Sequence, residues 1–327
     1  MVLAAGLGTR MKPLSSVLPK PALPVANRPL ICHLLDHLVA HGVTFVVINT
    51  HHLKGELEKA VANHAPSGLD VTFSHESTIL GTAGGLKKAA RHFKKETFYL
   101  VNSDSLTDAD LSGAAAAHAA TGRTATMVTM KHDPAAGYRP VGVVEAGGKT
   151  ARVAAIAGKR WGREELSQRT FTGVHVLEPG ILDLIEPGVP CDINADVYPW
   201  LLDEQPEAVG AWLHEGWWFE AGGPSRYLDL NLEMLERTGR TAVVGPGFFI
   251  DEEAVVTRSS IGARARLARG AVVEDSVIWD DVTVGEGVSL RRCIVTSGVD
   301  VPLMPLDRMV VTQDASGHVA MKPLESS

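Results

Sequence analysis

Apolar residues follow two rhythms along the chain, one before about residue 240 and one after it. In the first part, short apolar runs alternate with stretches of helical spacing. Val2–Ala4, Phe45–Ile48, Val71–Ser74 and Thr97–Val101 read as strands. Pro29–His41, with Leu30, Leu34 and Leu38 on one stripe, reads as a helix whose first turn accommodates Pro29. His52–His64, Thr82–Phe93 and the alanine-rich Leu111–Thr121 read as further helices. Later strands are expected at Ala125–Lys131, Val141–Glu145, Phe171–Leu177 and Val209–Leu213, then a closing helix at Ser225–Arg237 with Gly239 at its end. Strands separated by helices of this length predict an α/β domain, a doubly wound, mostly parallel sheet of Rossmann-like type.

In the second part the helical pattern stops and a 17-residue repeat begins. Ile250, Leu267 and Val284 are 17 residues apart, as are Val256, Val273 and Leu290, and Ile261, Ile278 and Val295. Within each repeat the aliphatic steps are six, five and six residues. Aliphatic corners at that spacing predict a parallel β-helix with three faces per coil. The expected division is 1–240 for the α/β domain and 241–327 for the β-helix, with Val299–Ser327 capping it or trailing off.

Composition narrows the function classes. The chain has 327 residues, room for two domains of roughly 100–200 residues each. Its 31 basic and 38 acidic residues give a net charge of −7 without a basic run, which disfavours nucleic acid as a partner. Cys32, Cys191 and Cys293 are odd in number and far apart, without metal-binding spacing, so they read as unpaired thiols of a reducing compartment. No apolar stretch reaches the ~18 residues of a membrane span, and the N-terminus lacks the charge order of a leader. A soluble, cytoplasmic protein without a membrane partner is expected.

The strongest chemical signal is Leu3-Ala4-Ala5-Gly6-Leu7-Gly8-Thr9-Arg10, followed by Pro19-Lys20-Pro21. A glycine turn after a first strand lets backbone N–H groups approach phosphates, and Arg10 and Lys20 add fixed positive charge. The pattern is a triphosphate cradle with two cations. A Walker A loop is absent. A dinucleotide fingerprint fails because Met11 stands at the third glycine, and Ala26 and Asn27 stand near the acid position.

With these residues in view, the chain resembles the sugar-1-phosphate nucleotidyltransferases, or nucleotide-sugar pyrophosphorylases, over nearly its whole length. The motifs are Gly-x-Gly-Thr-Arg with Pro-Lys-Pro, Leu80-Gly81-Thr82-Ala83-Gly84, Val101-Asn102-Ser103-Asp104, Gly142–Glu145, Phe171–Val174 and Trp218–Pro224. The resemblance is strongest to mannose-1-phosphate guanylyltransferases. It implies a left-handed hand for the β-helix. It also implies nucleotide contacts from Ala5, Gly6, Gly8, Thr9, Gly81, Thr82 and Ala83, and catalytic roles for Arg10 and Lys20. Gly142, Glu145, Lys159, Thr172 and Gly173 would bind the sugar phosphate. Asp104 and Glu220 would hold Mg²⁺, Glu220 standing where the family carries aspartate and Gly223 where it carries threonine. Relatives usually carry residues ahead of the segment matching Val2–Gly6, so the chain is expected to begin late or with a trimmed first strand.

The implied substrates are a nucleoside triphosphate and a sugar 1-phosphate, with GTP and mannose 1-phosphate first and UTP- or dTTP-dependent transfer as alternatives. A catalytically silent regulatory subunit binding a nucleotide sugar is the alternative from another class. A β-helix acyltransferase is set aside, because residues 245–298 contain no histidine. The β-helix is expected to serve homo-oligomer assembly. His33, His37 and His41 share one helix face and read as a polar flank of the apolar stripe rather than a metal site.

Overall fold

The structure is a computed structural model, and it describes residues 1–145, 147–314 and 316–325. The chain forms two compact units, each drawn from separate segments. Met1–Gly6, Leu34–Lys54 and Ala65–Phe219 form the first, and Leu7–His33, Gly55–His64 and Glu220–Ser327 the second.

A ten-stranded sheet organises the first unit. Its strands are β1 (Val2–Leu3), β2 (Phe45–Thr50), β3 (Asp70–His75), β4 (Phe98–Asn102), β5 (Ala125–Lys131), β6 (Val141–Glu145), β7 (Thr150–Ile156), β8 (Lys159–Arg160), β9 (Ser167–Leu177) and β10 (Val209–His214). The spatial order is β8-β7-β10-β5-β9-β4-β1-β2-β3, with β6 pairing β7 and β9. β1 lies parallel between β2 and β4, and β3 extends the parallel set. Their inward faces are aliphatic, with Val47, Ile48, Leu100 and Val101 at most 1% exposed.

The expectation of a mostly parallel sheet is corrected here, because the sheet is mixed. β9 runs antiparallel to β4, β5 and β6, and β7 antiparallel to β6, β8 and β10. The reason lies in the connections. β6, β7, β8 and β9 follow one another through turns too short for the helical crossover that a parallel neighbour requires. Strand patterning showed that β6 and β9 are strands, but it carries no information on their direction. Pro29, expected in the first helical turn, instead ends a short strand, and the helix runs Leu30–Ala40.

The second unit contains the predicted repeat. Its three faces are the ladders Ala242–Val244/Ser259–Ile261/Val277–Ile278/Ile294–Val295/Met309–Gln313, Phe249–Ile250/Arg266–Leu267/Thr283–Val284, and Val255–Thr257/Val272–Glu274/Ser289–Arg291/Leu306–Asp307. Pairing is parallel, and Ile250↔Leu267↔Val284, Val256↔Val273↔Leu290 and Ile261↔Ile278↔Val295 face one another, the registers read from the sequence. Leu267, Val273, Ile278, Val284, Leu290 and Val295 are at most 1% exposed, so each corner fills the coil interior. The last coil is one residue shorter, pairing Leu290 with Leu306 and Val295 with Val311. Val319–Pro323 then turns back antiparallel to Met309–Gln313. Within Val299–Ser327 the described residues therefore complete a coil and close one face with a hairpin, while Ala315, Ser326 and Ser327 lie outside the described residues.

Helix Pro224–Arg237 packs in this same unit, with Tyr227, Leu228 and Leu230 fully buried. Trp279 Nε1 donates to the Tyr227 hydroxyl (3.1 Å), and that hydroxyl donates to Pro24 O. Pro24–Val25 and Arg28–Pro29 pair around Ala26 and Asn27, both at positive φ (46° and 62°), as a two-residue hairpin turn demands. Asn231 Oδ1 accepts from Ala26 N (2.9 Å), and Asn27 Nδ2 donates to Ile261 O (2.6 Å).

Candidate active site

In the first unit, β1 and β4 end side by side, which brings the chain after Leu3 next to the Asn102–Asp104 turn. Ser103 Oγ donates to Leu3 O (2.6 Å), and Ala4 N donates to Asn49 Oδ1 (2.6 Å). Ala4 and Ala5 are buried, whereas Gly6 is exposed with no atom within 4 Å of the place a Cβ would take. Asp104 is half-buried at the turn after β4. This is the C-terminal edge of the parallel strands, where ligands bind in open α/β sheets.

The turn at Leu80–Ala83 is tightly held. Gly81 has φ +74°, and a Cβ there would sit 2.5 Å from Cys191 O. Ala83 N donates to Cys191 O (3.0 Å), and Cys191 N donates to Leu80 O (2.9 Å). Thr82 Oγ1 donates to Asp192 Oδ2 (3.0 Å) and accepts from Ile193 N (2.8 Å). Glu76, 4% exposed, accepts from Leu80 N (3.0 Å) and from Asn49 Nδ2 (2.6 Å). Asn49 and Glu76 thus connect the end of β1 to the Gly81 turn. Sequence reading missed both residues, and Asp192 as well. Asn49 lies near the end of an apolar strand and Glu76 directly after one, a signal too common to single them out, and Asp192 lies in a loop with no local signal.

β9 carries Thr172 and Gly173 at a register shift between Phe171 and His175. Thr172 Oγ1 donates to Val128 O (2.8 Å), and Thr172 O accepts from Trp218 Nε1 (2.7 Å). Gly173 has φ +88°, and a Cβ there would meet Asn102 Cβ at 3.0 Å, so the bulge lies against the strand end that leads to Asp104. Gly142 is buried, with Ala155 Cβ 2.8 Å from its absent Cβ. Glu145 pairs with Arg169 (2.5 Å), and that guanidinium holds its carboxyl below the usual range. Lys159 lies on the edge strand β8, where its ammonium pairs with Asp203 (3.3 Å). The sheet places Lys159 at its edge, whereas Asp104 follows an interior strand.

The remaining predicted residues belong to the second unit. Gly8 has φ +60°, and the place of its Cβ lies 3.2 Å from Ser15 Cβ and 3.5 Å from Lys20 Cβ. Ser15 Oγ donates to Gly8 O (2.8 Å), while Met11 and Leu14, at most 1% exposed, anchor the loop. Gly8 and Lys20 are thereby adjacent. The Arg10 side chain is 76% exposed, and its Nη2 lies 3.5 Å from Glu220 Oε1. The Glu220 side chain, 15% exposed, faces a cation.

Among the described residues, no group of three or more His, Cys, Asp or Glu side chains is arranged to hold a metal ion. The candidate donors Asp104 and Glu220 are hard oxygen ligands. Each is the donor type that Mg²⁺ takes in sites that combine one or two carboxylates with substrate phosphates. The histidines of helix Leu30–Ala40 are used separately. His33 Nε2 contacts Val25 O (2.9 Å), His37 Nε2 contacts Ala109 O (3.0 Å) and His41 Nδ1 contacts Ser112 Oγ (2.9 Å). No helix among the described residues is long and apolar enough to cross a membrane.

Residues 1–237 match the family described as nucleotidyl transferase, and residues 232–316 match one described as GlmU-like, C-terminal hexapeptide. The chain belongs to the nucleotidyl transferase family and is a sugar-1-phosphate nucleotidyltransferase. It is 28% identical to a UTP–glucose-1-phosphate uridylyltransferase of Synechocystis, covering 95% of this chain and 92% of the relative. It is 31% identical to a protein described as probable mannose-1-phosphate guanylyltransferase 2 in Arabidopsis thaliana, covering 91% and 84%. The UDP-glucose pyrophosphorylase of Acinetobacter superposes over 72% of this chain and 92% of that structure, with a TM-score of 0.60 and 20% identity, and shows the fold alone.

Proposed function

We propose that the chain transfers a guanylyl group from GTP to mannose 1-phosphate, forming GDP-mannose and pyrophosphate. The observation that carries the nucleotidyl-transfer reading is the adjacency of Gly8 and Lys20 beside the exposed Arg10. The choice of GTP and mannose is supported by the Arabidopsis relative, and UTP with glucose 1-phosphate is the second reading, supported by the Synechocystis relative.

In this reading a phosphate oxygen of the sugar 1-phosphate attacks the α-phosphorus of the triphosphate. The bond from that phosphorus to the bridging oxygen breaks, and pyrophosphate leaves in line. The attacking phosphate is already anionic, so the chain's task is to gather anions and absorb developing charge. Arg10 and the backbone around Gly6, Gly8 and Thr9 hold the triphosphate, and Lys20 neutralises the α-phosphate. Gly81, Thr82 and Ala83 shape the base subsite, and their own hydrogen bonds to residues 191–193 keep that surface rigid. Gly142, Glu145, Lys159, Thr172 and Gly173 are assigned to the sugar phosphate. Asp104 and Glu220 would hold Mg²⁺, which when bound supplies positive charge to the phosphates. The same reading makes 1–240 the catalytic domain and 241–327 a left-handed β-helix that joins copies of the chain, in the cytoplasm.

The test is pyrophosphate release from the purified protein with Mg²⁺, crossing GTP, UTP, dTTP, ATP and CTP with mannose, glucose and N-acetylglucosamine 1-phosphates. Release with GTP and mannose 1-phosphate is expected. Release with UTP and glucose 1-phosphate alone would establish the second reading. Silence across the panel from folded protein that still binds a nucleotide sugar would overturn both in favour of a regulatory subunit.

A further inference from the structure

A buried chain of hydrogen bonds within the first unit joins two turns that are assigned to the nucleotide. It starts where β1 ends. Leu3 still lies between Asn49 of β2 and Asn102 of β4, but Ala4 has left the sheet, and its N–H needs another acceptor. Asn49 Oδ1 supplies it at 2.6 Å. The other end of the same amide, Nδ2, donates to Glu76 Oε1 (2.6 Å), and Glu76 Oε2 accepts from Leu80 N (3.0 Å). Leu80 stands directly before helix Gly81–Ala89 and caps it without a side-chain hydrogen bond of its own.

Asn49 and Glu76 are 2% and 4% exposed, so a donor or acceptor stranded there carries its full desolvation cost. The polarity of the chain is fixed at both ends. Ala4 N–H admits only an acceptor, and a carboxylate that takes Leu80 N–H on one oxygen still offers only an acceptor on the other. The amide of Asn49 meets both demands with one side chain. Gly85 makes the room, because a Cβ there would sit 2.6 Å from Glu76 Oε1 and 2.8 Å from Asn49 Nδ2. Glycine inside a helix is unfavourable relative to alanine, and here the missing methyl admits the pair.

We propose that Asn49 is a positioning residue for the nucleotide: its amide fixes the exit of Ala4–Gly6 from the sheet against the Gly81–Ala83 turn, so that both turns meet one ligand at a set spacing. This rests on the assignment of Ala5, Gly6, Gly81, Thr82 and Ala83 to the nucleotide. Asn49 acts through these turns and not through contact with a reacting atom. It therefore governs nucleotide affinity, while kcat and the KM for the sugar 1-phosphate do not depend on it.

The experiment exchanges the two side chains in the full-length protein. In Asn49→Asp two carboxylates face each other, and in Glu76→Gln an amide NH2 faces either Asn49 Nδ2 or Leu80 N. In the double variant Asn49→Asp/Glu76→Gln every donor has an acceptor again, with the middle bond reversed. Calorimetric titrations with GTP, UTP and dTTP, run separately, are read beside the kinetics of pyrophosphate release. Each single variant should weaken the nucleotide that the unmodified protein binds by about tenfold or more, as one lost charge-assisted hydrogen bond implies, and the double variant should recover most of that loss. Wild-type affinity in both single variants would overturn the proposal, as would a double variant no better than the singles. An equal rise in the KM for the sugar 1-phosphate would also overturn it, by marking a general loss of structure. An unmodified protein that binds none of the three nucleotides would overturn the functional reading and this role with it. Amide hydrogen exchange at Ala4 and Leu80 separates that outcome from failure of the chain of bonds, since exchange should quicken in the single variants and slow again in the double one whether or not a nucleotide binds. Should circular dichroism show one single variant unfolded, the other is read against the double variant by the same criteria.

Discussion

The Gly81 turn of the first unit and the Gly8 loop of the second are built in opposite ways. The Gly81 turn is closed: its backbone bonds to Cys191, its threonine to Asp192 and Ile193, and buried Glu76 braces Leu80. The Gly8 loop is anchored by Met11, Leu14 and Ser15, but it leaves Arg10 76% exposed and Lys12 exposed. Under the proposed function, the first turn would discriminate one flat ring from another and gain from rigid backbone, and the second would follow a phosphate chain and gain from cations on flexible stems. Stability and chemistry are therefore separable between the two turns.

The sharpest test of that separation is Lys20→Ala, which should cut transfer by about 10³-fold, as loss of a preorganised charge does, while the urea midpoint stays where it was. Near wild-type turnover would show that the cradle is misassigned. Glu76→Ala should act in the other direction. It strands Leu80 N and the Asn49 amide, so a loss of about 2 kcal/mol in unfolding free energy is expected, read from denaturant titration. An unchanged midpoint would mean that the closed turn does not depend on its brace.

A third test concerns His175, buried in the first unit and hydrogen-bonded to Tyr198 Oη (2.8 Å). Burial lowers its pKa from 6.5 to about 3. The folded protein thus keeps the ring neutral where the unfolded chain protonates it. The associated stability is complete above pH 6.5 and drains away as pH falls from 6.5 toward 3. The urea midpoint should decline between pH 6.5 and 4.5 in the unmodified protein and decline less in His175→Gln. Identical slopes would remove His175 as the source.

The legibility of these regions in the sequence follows from the kind of constraint each obeys. Coil corners must be aliphatic at every repeat, so Ile250, Leu267 and Val284 announced their own register. Strands β5 and β6 likewise begin and end where their apolar runs do. Strand direction leaves no such trace, and the antiparallel β9 was not foreseen. Arg10, Lys20 and Asp104 stood out because each sits in a short contiguous motif, Gly-Leu-Gly-Thr-Arg, Pro-Lys-Pro and Val-Asn-Ser-Asp. Asn49 meets Glu76 across 27 positions of chain and Thr82 meets Asp192 across 110, relations that no local pattern encodes. Glu220 was read as a metal donor, and the structure places its carboxylate 3.5 Å from the Arg10 guanidinium.

The hairpin at Ala26 and Asn27 has a consequence for how the protein is made. Its partners, Asn231 and Ile261, lie 205 and 234 positions further along the chain. A ribosome adding ~5–20 residues per second reaches Ile261 roughly 10–50 s after Asn27 has been synthesised. Throughout that interval the nascent chain carries Asn27 without Ile261, so a turn near the start of the chain completes its hydrogen bonds only when the β-helix has been made.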